Sequence, residues 1–201
     1  MRKLLYCVCG AAVLTIALAL GGRIKDDSFG HSLYNTSFSF YGVLSKDRLP
    51  SLEDIDRMID TADNIAEVTA TAEIRSESVV VVQKVTVNKV YKGSYIPGDE
   101  IEIISENGIK GGMNWGVTNL MEPGNDYLVV LKTEEITKER NHINLYLGPI
   151  PLHEGKRTLI DLGRTYTYEE LRGVDFFVED DESYRAVTEM KDYVIKKVRY
   201  R

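Results

Sequence analysis

The apolar residues of this chain change period along its length, and each period predicts a different element. From residue 66 to 74 apolar side chains alternate with Glu and Thr, which is the pattern of a half-buried strand. A second alternating run over residues 79–91 predicts a longer strand. Val90 interrupts that alternation, so we expect a β-bulge near Asn88. The polar residues 75–78 between the runs predict the turn of an antiparallel hairpin.

Three further strands are expected before residue 150. Ile101 and Ile103 indicate a third strand, residues 127–132 form an almost continuous apolar fourth, and residues 143–147 alternate as a fifth. Turn pairs separate them, namely Pro97-Gly98, Asn107-Gly108 and Pro123-Gly124. Five short strands separated by such turns predict a mainly β fold over residues 51–150, either a small barrel or a sandwich.

Helical spacing occurs on either side of these strands. Residues 52–62 predict a short amphipathic helix that Ser51 and Asp54 would cap. Residues 151–201 predict a mixed α/β extension. It would hold a one-turn helix capped by Thr167 and Glu170, and a final helix from Asp180 or Asp181 to about Val198 with one apolar face.

The first residues form a membrane-directing segment. Arg2 and Lys3 precede an apolar run over residues 4–22, the pattern of an export signal or of a short transmembrane anchor. Retention would hold the protein at the cell membrane with its bulk outside the cytoplasm, and cleavage would release it. Residues 23–50 are predicted to be a linker, within which residues 38–41 are candidates for a short strand.

Charge and cysteine content narrow the classes of partner and chemistry. The formal net charge is −6, and without Arg2 and Lys3 the rest of the chain carries −8, so nucleic acid is not an expected partner. Both cysteines, Cys7 and Cys9, lie within the apolar run. The part that follows has no disulfide, no thiolate nucleophile and no cysteine ligand for zinc.

Residues 62–131 resemble a group of bacterial exported domains of the TIMP-like, or netrin-like, OB-fold class. The motifs that carry the resemblance are Ala62-Asp63, Val90-Tyr91-Lys92-Gly93, Pro97-Gly98-Asp99, Ile101-Glu102-Ile103, Gly111-Gly112, Pro123-Gly124 and Tyr127-Leu128-Val129-Val130-Leu131. The resemblance implies a five-stranded OB-type barrel used for binding and not for chemistry. Animal inhibitors of this fold present an N-terminal cysteine to a protease zinc, and no residue here matches it.

No familiar constellation of catalytic residues is found in the sequence. The three histidines, His31, His142 and His153, have no metal-ligand spacing, and no nucleophile elbow or phosphate-binding loop occurs. The four carboxylates of residues 179–182 would suit a weak Ca²⁺ site or, with a higher prior, the start of a helix. We therefore expect no enzyme activity and no cofactor.

The glycine-rich loop of residues 107–124 is the expected contact site for a partner. Gly111, Gly112, Asn114 and Trp115 are the candidate contact residues. Two alternatives stay open: Trp115 closes one end of the barrel, and the glycine pair serves only a loop that needs positive φ. The expected function is a binding module for a protein or a cell-envelope ligand. The alternatives are an accessory subunit of a membrane complex that docks through the last helix, and a hydrolase without a recognisable motif.

Overall fold

The computed structural model describes residues 37–77, 80–105, 113–114, 118–137, 140–144 and 148–201. These residues form a mainly β protein with two sheets and three α-helices, which confirms the coarse fold class. The strands are β1 Ser37–Phe40, β2 Asn64–Glu77, β3 Val80–Lys92, β4 Glu100–Ser105, β5 Met113–Asn114, β6 Asp126–Thr137, β7 Arg140–Asn144, β8 Ile150–Pro151 and β9 Thr165–Thr167. The helices are α1 Leu52–Thr61, α2 Tyr168–Leu171 and α3 Asp181–Arg199, with a 3₁₀ turn at Lys46–Arg48.

The larger sheet has six strands in the order β2-β3-β4-β7-β6-β8, and β2 also pairs with β6. Five of these strands therefore pair in a cycle, from β2 through β3, β4, β7 and β6 back to β2. Within the described residues β4 and β7 pair in parallel at one position, Ile104 with Asn144. The cycle thus meets at a single bridge and is not a barrel closed along its whole length.

The β2–β3 hairpin confirms the two predicted alternating strands and corrects the turn between them. Arg75 pairs with Val82 and Glu77 with Val80, so the strands continue through most of the predicted turn of residues 75–78. The polar side chains of this stretch were misleading because a strand with one exposed face tolerates them. The expected bulge is present, since Val68 pairs with Val87 and Glu67 with Lys89, which leaves Asn88 as the extra residue.

Residues 127–131 of β6 are apolar at every position, and the side chains on both faces of this stretch are buried. Tyr127, Val129 and Leu131 pack inside the sheet, whereas Leu128 and Val130 pack outward against α1 and α3. The outward cluster contains Ile55, Ile59, Ala62, Ile65, Leu128, Val130, Ile150, Met190, Val194 and Val198. A strand that is buried on both faces has a continuous run of apolar residues in its sequence, as residues 127–131 do.

Both predicted capping boxes are present, at Ser51 with Asp54 and at Thr167 with Glu170. Asp180 caps α3, as one of the two predicted alternatives. The apolar face of α3 packs within the chain and is not an exposed stripe. Asp56 of α1 accepts hydrogen bonds from Lys197 Nζ at 2.8 Å and Tyr193 OH at 2.7 Å, and the Lys197 bond in particular holds the pKa of Asp56 below its usual value.

The smaller sheet joins distant parts of the sequence, in the order β5-β1-β9. The short strand considered for residues 38–41 is present as β1, and Phe40 and Val43 of the predicted linker are buried. They belong to an apolar cluster beside this sheet, here called the Phe177 cluster: Phe40, Val43, Val81, Leu120, Ile160, Tyr166, Tyr168, Leu171, Val174 and Phe177.

Several of the sequence predictions lie outside the described residues. They include the membrane-directing segment of residues 4–22, the Asn107-Gly108 turn, and the end of the predicted fifth strand, Leu145 and Leu147, beyond β7. From residue 37 onward, where the chain is described, no helix combines the length and apolar character needed to cross a bilayer.

Candidate functional site

The predicted contact loop is held by the rest of the protein at its described positions. Asn114 lies in β5, where it pairs in parallel with Phe40 of β1. Thr118 forms a bridge to Phe176 in the C-terminal segment. The other candidates, Gly111, Gly112 and Trp115, lie outside the described residues. Asn114 and Thr118 are thus paired with residues that precede and follow the loop in sequence.

Residues 118–122 leave this loop as a buried strap across one end of the larger sheet. Gln83 of β3 holds the strap by a pair of hydrogen bonds to one backbone residue: its Nε2 donates to Met121 O at 2.8 Å, and Met121 N donates to its Oε1 at 3.0 Å. A buried amide satisfied in this way reproduces the pairing of a neighbouring strand. It therefore fixes the position of Met121, whose side chain packs inside the sheet.

The strap also binds residues 148–201, the C-terminal segment. Asn119 Nδ2 donates to Leu171 O at 2.9 Å, and Asn119 N donates to Asp175 O at 3.0 Å. The buried carboxylate of Glu122 accepts from Tyr168 OH and Arg172 Nε, each at 3.3 Å. The strap is therefore one of the links between the sheet and the C-terminal segment.

Within the C-terminal segment, His153 and Asp175 form an ionisable pair next to the strap. His153 Nε2 lies 3.3 Å from Asp175 Oδ1, and the side chain of Asp175 is only 12% exposed. Burial raises the pKa of the Asp175 carboxyl above its usual value, against the opposing influence of His153 and Lys191. Gly155 packs so closely that a Cβ there would lie 2.0 Å from Asp175 Oδ2.

We call Gln83, Asn119, Glu122, His153 and Asp175 the polar junction. Tyr127 of β6 packs edge-on against His153, with 5.4 Å between the ring centroids, and burial raises the pKa of its phenol well above the usual value. The phenol oxygen accepts a hydrogen bond from Glu122 N at 2.8 Å. His153 and Asp175 are thus partly buried, and the contact of His153 with Tyr127 suits a role in holding the C-terminal segment against β6.

The outer face of β2, β3 and β4 is covered by paired charges. Arg75 donates to both oxygens of Glu102, at 2.6 and 2.5 Å, and Lys84 Nζ lies 3.1 Å from Glu73 and 3.0 Å from Glu100. Each cation of this set is matched by at least one carboxylate. Arg75 and Lys84 therefore do not offer the unpaired positive charge on which phosphate binding depends.

An open groove lies between α1 and β6, with a volume of about 310 Å³. It is lined by Asp54, Arg57, Met58, Thr61, Ala62, Val130, Leu131 and Lys132. Met58, Ala62 and Val130 supply an apolar floor, and Asp54, Arg57 and Lys132 supply the charged part of the lining. Its volume lies at the lower end of the range found for ligand sites, roughly 300–1,000 Å³.

The remaining candidate residues have structural partners. Of the carboxylates of residues 179–182, Asp180 caps α3, Asp181 pairs with Arg157, and Glu182 pairs with Lys46 at 2.6 Å. Among the side chains that the structure describes, no three His, Cys, Asp or Glu residues converge as metal ligands would. His31 lies outside the described residues, and His142 is placed in β7.

The comparisons with known proteins give no relative from which a site could be transferred. No protein-family model matches the sequence, and no curated protein matches it significantly.

Sequence reasoning missed both the polar junction and the groove. A signal for the junction was present in β3, where Gln83 occupies an inward position between Val81 and Val85, a place where an aliphatic residue is expected. The groove had no comparable signal. It is formed by residues 54–62 and 130–132, whose proximity depends on the packing of α1 against β6.

Proposed function

We propose that this protein is a non-enzymatic binding module, built on an OB-type barrel and held on the outer side of a membrane by residues 4–22. If the apolar run is cleaved, the same module is secreted. Its partner is a protein or another cell-envelope ligand.

The cyclic pairing of β2, β3, β4, β7 and β6 is the observation that carries this proposal. An OB fold is a five-stranded, partly open Greek-key barrel. Five strands that pair in a cycle, with one weak contact between β4 and β7, agree with that description. The short strand β8 and the β5-β1-β9 sheet would then be additions to the barrel. The TIMP-like resemblance of residues 62–131 covers β2, β3, β4 and half of β6, which supports the same reading.

Binding is favoured over chemistry by the surroundings of the ionisable groups. The partly buried His153–Asp175 pair lies beside Gly155 and Tyr127, and no serine, threonine or cysteine is among the contacts described for it above. An exposed groove and an anchored loop are features suited to contact with a partner. The fold alone does not specify which partner.

The proposed location of the module outside the cytoplasm is tested with a reporter fused after Arg201 in the full chain. We expect an enzyme that is active only outside the cytoplasm to be active in this fusion. Activity of a cytoplasm-specific reporter at the same position would reject both the anchor and the export signal.

The binding role is tested by cross-linking and pull-down of the intact protein from its native membrane, with Trp115→Ala as the diagnostic variant. If Trp115 is a contact residue, this variant keeps its melting temperature and loses its captured partner. If Trp115 instead plugs the barrel end, its truncation lowers stability by about 3–5 kcal/mol, as other buried Trp truncations do. A large fall in melting temperature would therefore end the contact role of Trp115.

A further inference from the structure

The groove between α1 and β6 combines an apolar floor with cations on opposite sides. Arg57 and Thr61 stand on the helix side, and Lys132 stands on the strand side. Met58 is half-buried in the floor and has a flexible, polarizable side chain that adapts to different apolar groups. A ligand in this groove would bury an apolar group between Lys132 and the Asp54–Arg57 ion pair.

The charges of the groove are not balanced, which is unusual for this acidic chain. Asp54 is occupied, because its carboxylate accepts from Ser51 in the capping box and from Arg57. Lys132 is exposed and forms no ion pair with another described residue. The guanidinium of Arg57 keeps further N–H donors beyond the one directed at Asp54. One carboxylate thus faces two cations in a protein whose formal net charge is −6.

We infer that this groove binds the C-terminal end of a peptide chain that finishes in an apolar residue. The terminal carboxylate lies between Lys132 and Arg57, and the last side chain contacts Met58, Ala62 and Val130 on the floor. This inference rests on the proposed binding function and names the partner's chemistry. Capture of a C-terminal carboxylate is an established mode of peptide recognition.

A chain terminus fits the groove better than an internal acidic residue. In a terminal residue the carboxylate and the apolar side chain are attached to the same Cα, so one residue satisfies both the cations and the floor. An internal Asp or Glu places its carboxylate on a different residue from the apolar group. It therefore requires a longer stretch of chain in a groove of only about 310 Å³.

The test uses the full chain in lipid nanodiscs and three soluble peptides. The first is acetyl-alanyl-valyl-leucine with a free carboxylate, and the second is the same peptide as its C-terminal amide. The third, acetyl-alanyl-aspartyl-leucinamide, carries its carboxylate internally. Ligand-observed NMR titration measures each dissociation constant. We expect the free acid to bind about tenfold more tightly than either amide, as a charge-assisted hydrogen bond would give.

Two charge-neutralising variants test which cations of the groove give the preference for the free-acid peptide over the amides. Lys132→Gln should remove the preference for the free acid, and Arg57→Gln should reduce it. Lys196→Gln is the matched control, since Lys196 is an exposed lysine on α3 that does not line the groove. It should bind all three peptides as the unmodified chain does. Melting curves on each variant show that the fold is retained.

Three results would overturn the inference: no binding of the free acid, equal binding of the acid and its amide, or an acid preference that survives in Lys132→Gln. Tighter binding of the internal aspartate peptide would also overturn it. The reporter fused after Arg201 and the pull-down do not depend on the groove. A correctly oriented chain that captures a partner but ignores these peptides would therefore refute this inference and leave the proposed function standing.

Discussion

Among the regions that attach the C-terminal segment to the larger sheet, two that lie side by side use different interactions. The Phe177 cluster is apolar and joins Val81 and Leu120 to Phe40, Leu171 and Phe177. The polar junction lies beside it and uses hydrogen bonds of Gln83, Asn119 and Glu122. Val81 and Gln83 are two residues apart and both face inward from β3, so one strand contributes to both regions.

The difference between apolar packing and buried hydrogen bonds indicates what each region contributes to the fold. Apolar packing supplies most of the driving force but is not directional, so it tolerates substitutions that keep volume. A buried hydrogen bond adds little net stability, yet leaving its partner unsatisfied costs the full desolvation of that group. We therefore expect the Phe177 cluster to provide strength and the polar junction to fix the position of the strap.

The largest effect is expected from a charge placed in the apolar region. Val81 is 1% exposed, so Val81→Asp would bury an unpaired carboxylate and lower the free energy of unfolding by several kcal/mol. Chemical denaturation of the purified protein measures this. Val81→Thr is the control, because it keeps the shape without a charge and should lose much less. Unchanged stability in Val81→Asp would mean that this face of β3 is exposed to solvent.

Removal of the polar side chain on the same strand should have the next largest effect. Gln83→Leu leaves the N–H and C=O of Met121 buried without partners, at about 1–3 kcal/mol for each group. The neighbouring Lys84→Leu breaks only exposed ion pairs and should cost less than about 1 kcal/mol. Denaturation curves for the two variants give the comparison. Equal losses would show that Gln83 does not hold the strap.

Crowding at the junction should produce a moderate loss. Gly155→Ala brings a Cβ to 2.0 Å from Asp175 Oδ2 and must displace that carboxylate, which we expect to cost about 1–3 kcal/mol. In an Asp175→Ala background the same substitution should cost clearly less, since the obstructing group is gone. The coupling is obtained from a double-mutant cycle of unfolding free energies. Additive effects would refute the contact.

The smallest effect concerns the charge of Asp175. A carboxyl whose folded-state pKa is raised is ionised at neutral pH at a cost in stability, and that cost fades as the pH falls toward the ordinary value of 3.8. Asp175→Asn keeps an oxygen that accepts from His153 and removes the charge. It should therefore be slightly more stable than the unmodified chain at pH 7, and the difference should shrink toward pH 4. Melting temperatures measured across this range test the sign, and a destabilised variant at pH 7 would reverse it.

The sequence by itself determined those features that depend on neighbouring residues. Alternation predicted β2 and β3, the spacing around Val90 predicted the bulge at Asn88, and the capping residues Ser51 and Thr167 predicted where two helices begin. These signals are readable because strand and helix periods, and the first hydrogen bonds of a helix, involve residues a few positions apart.

Only the tertiary structure decided which distant segments meet. The pairing of β1 with β5 and β9, the bond from Gln83 to Met121, and the groove between residues 54–62 and 130–132 all join parts of the chain that are far apart in sequence. No local period encodes such a contact, because it results from how whole elements pack against one another. Gln83 is the clearest example. A polar residue at an inward position of β3 indicated that it has a hydrogen-bond partner inside the protein, but only the folded chain identified that partner as Met121.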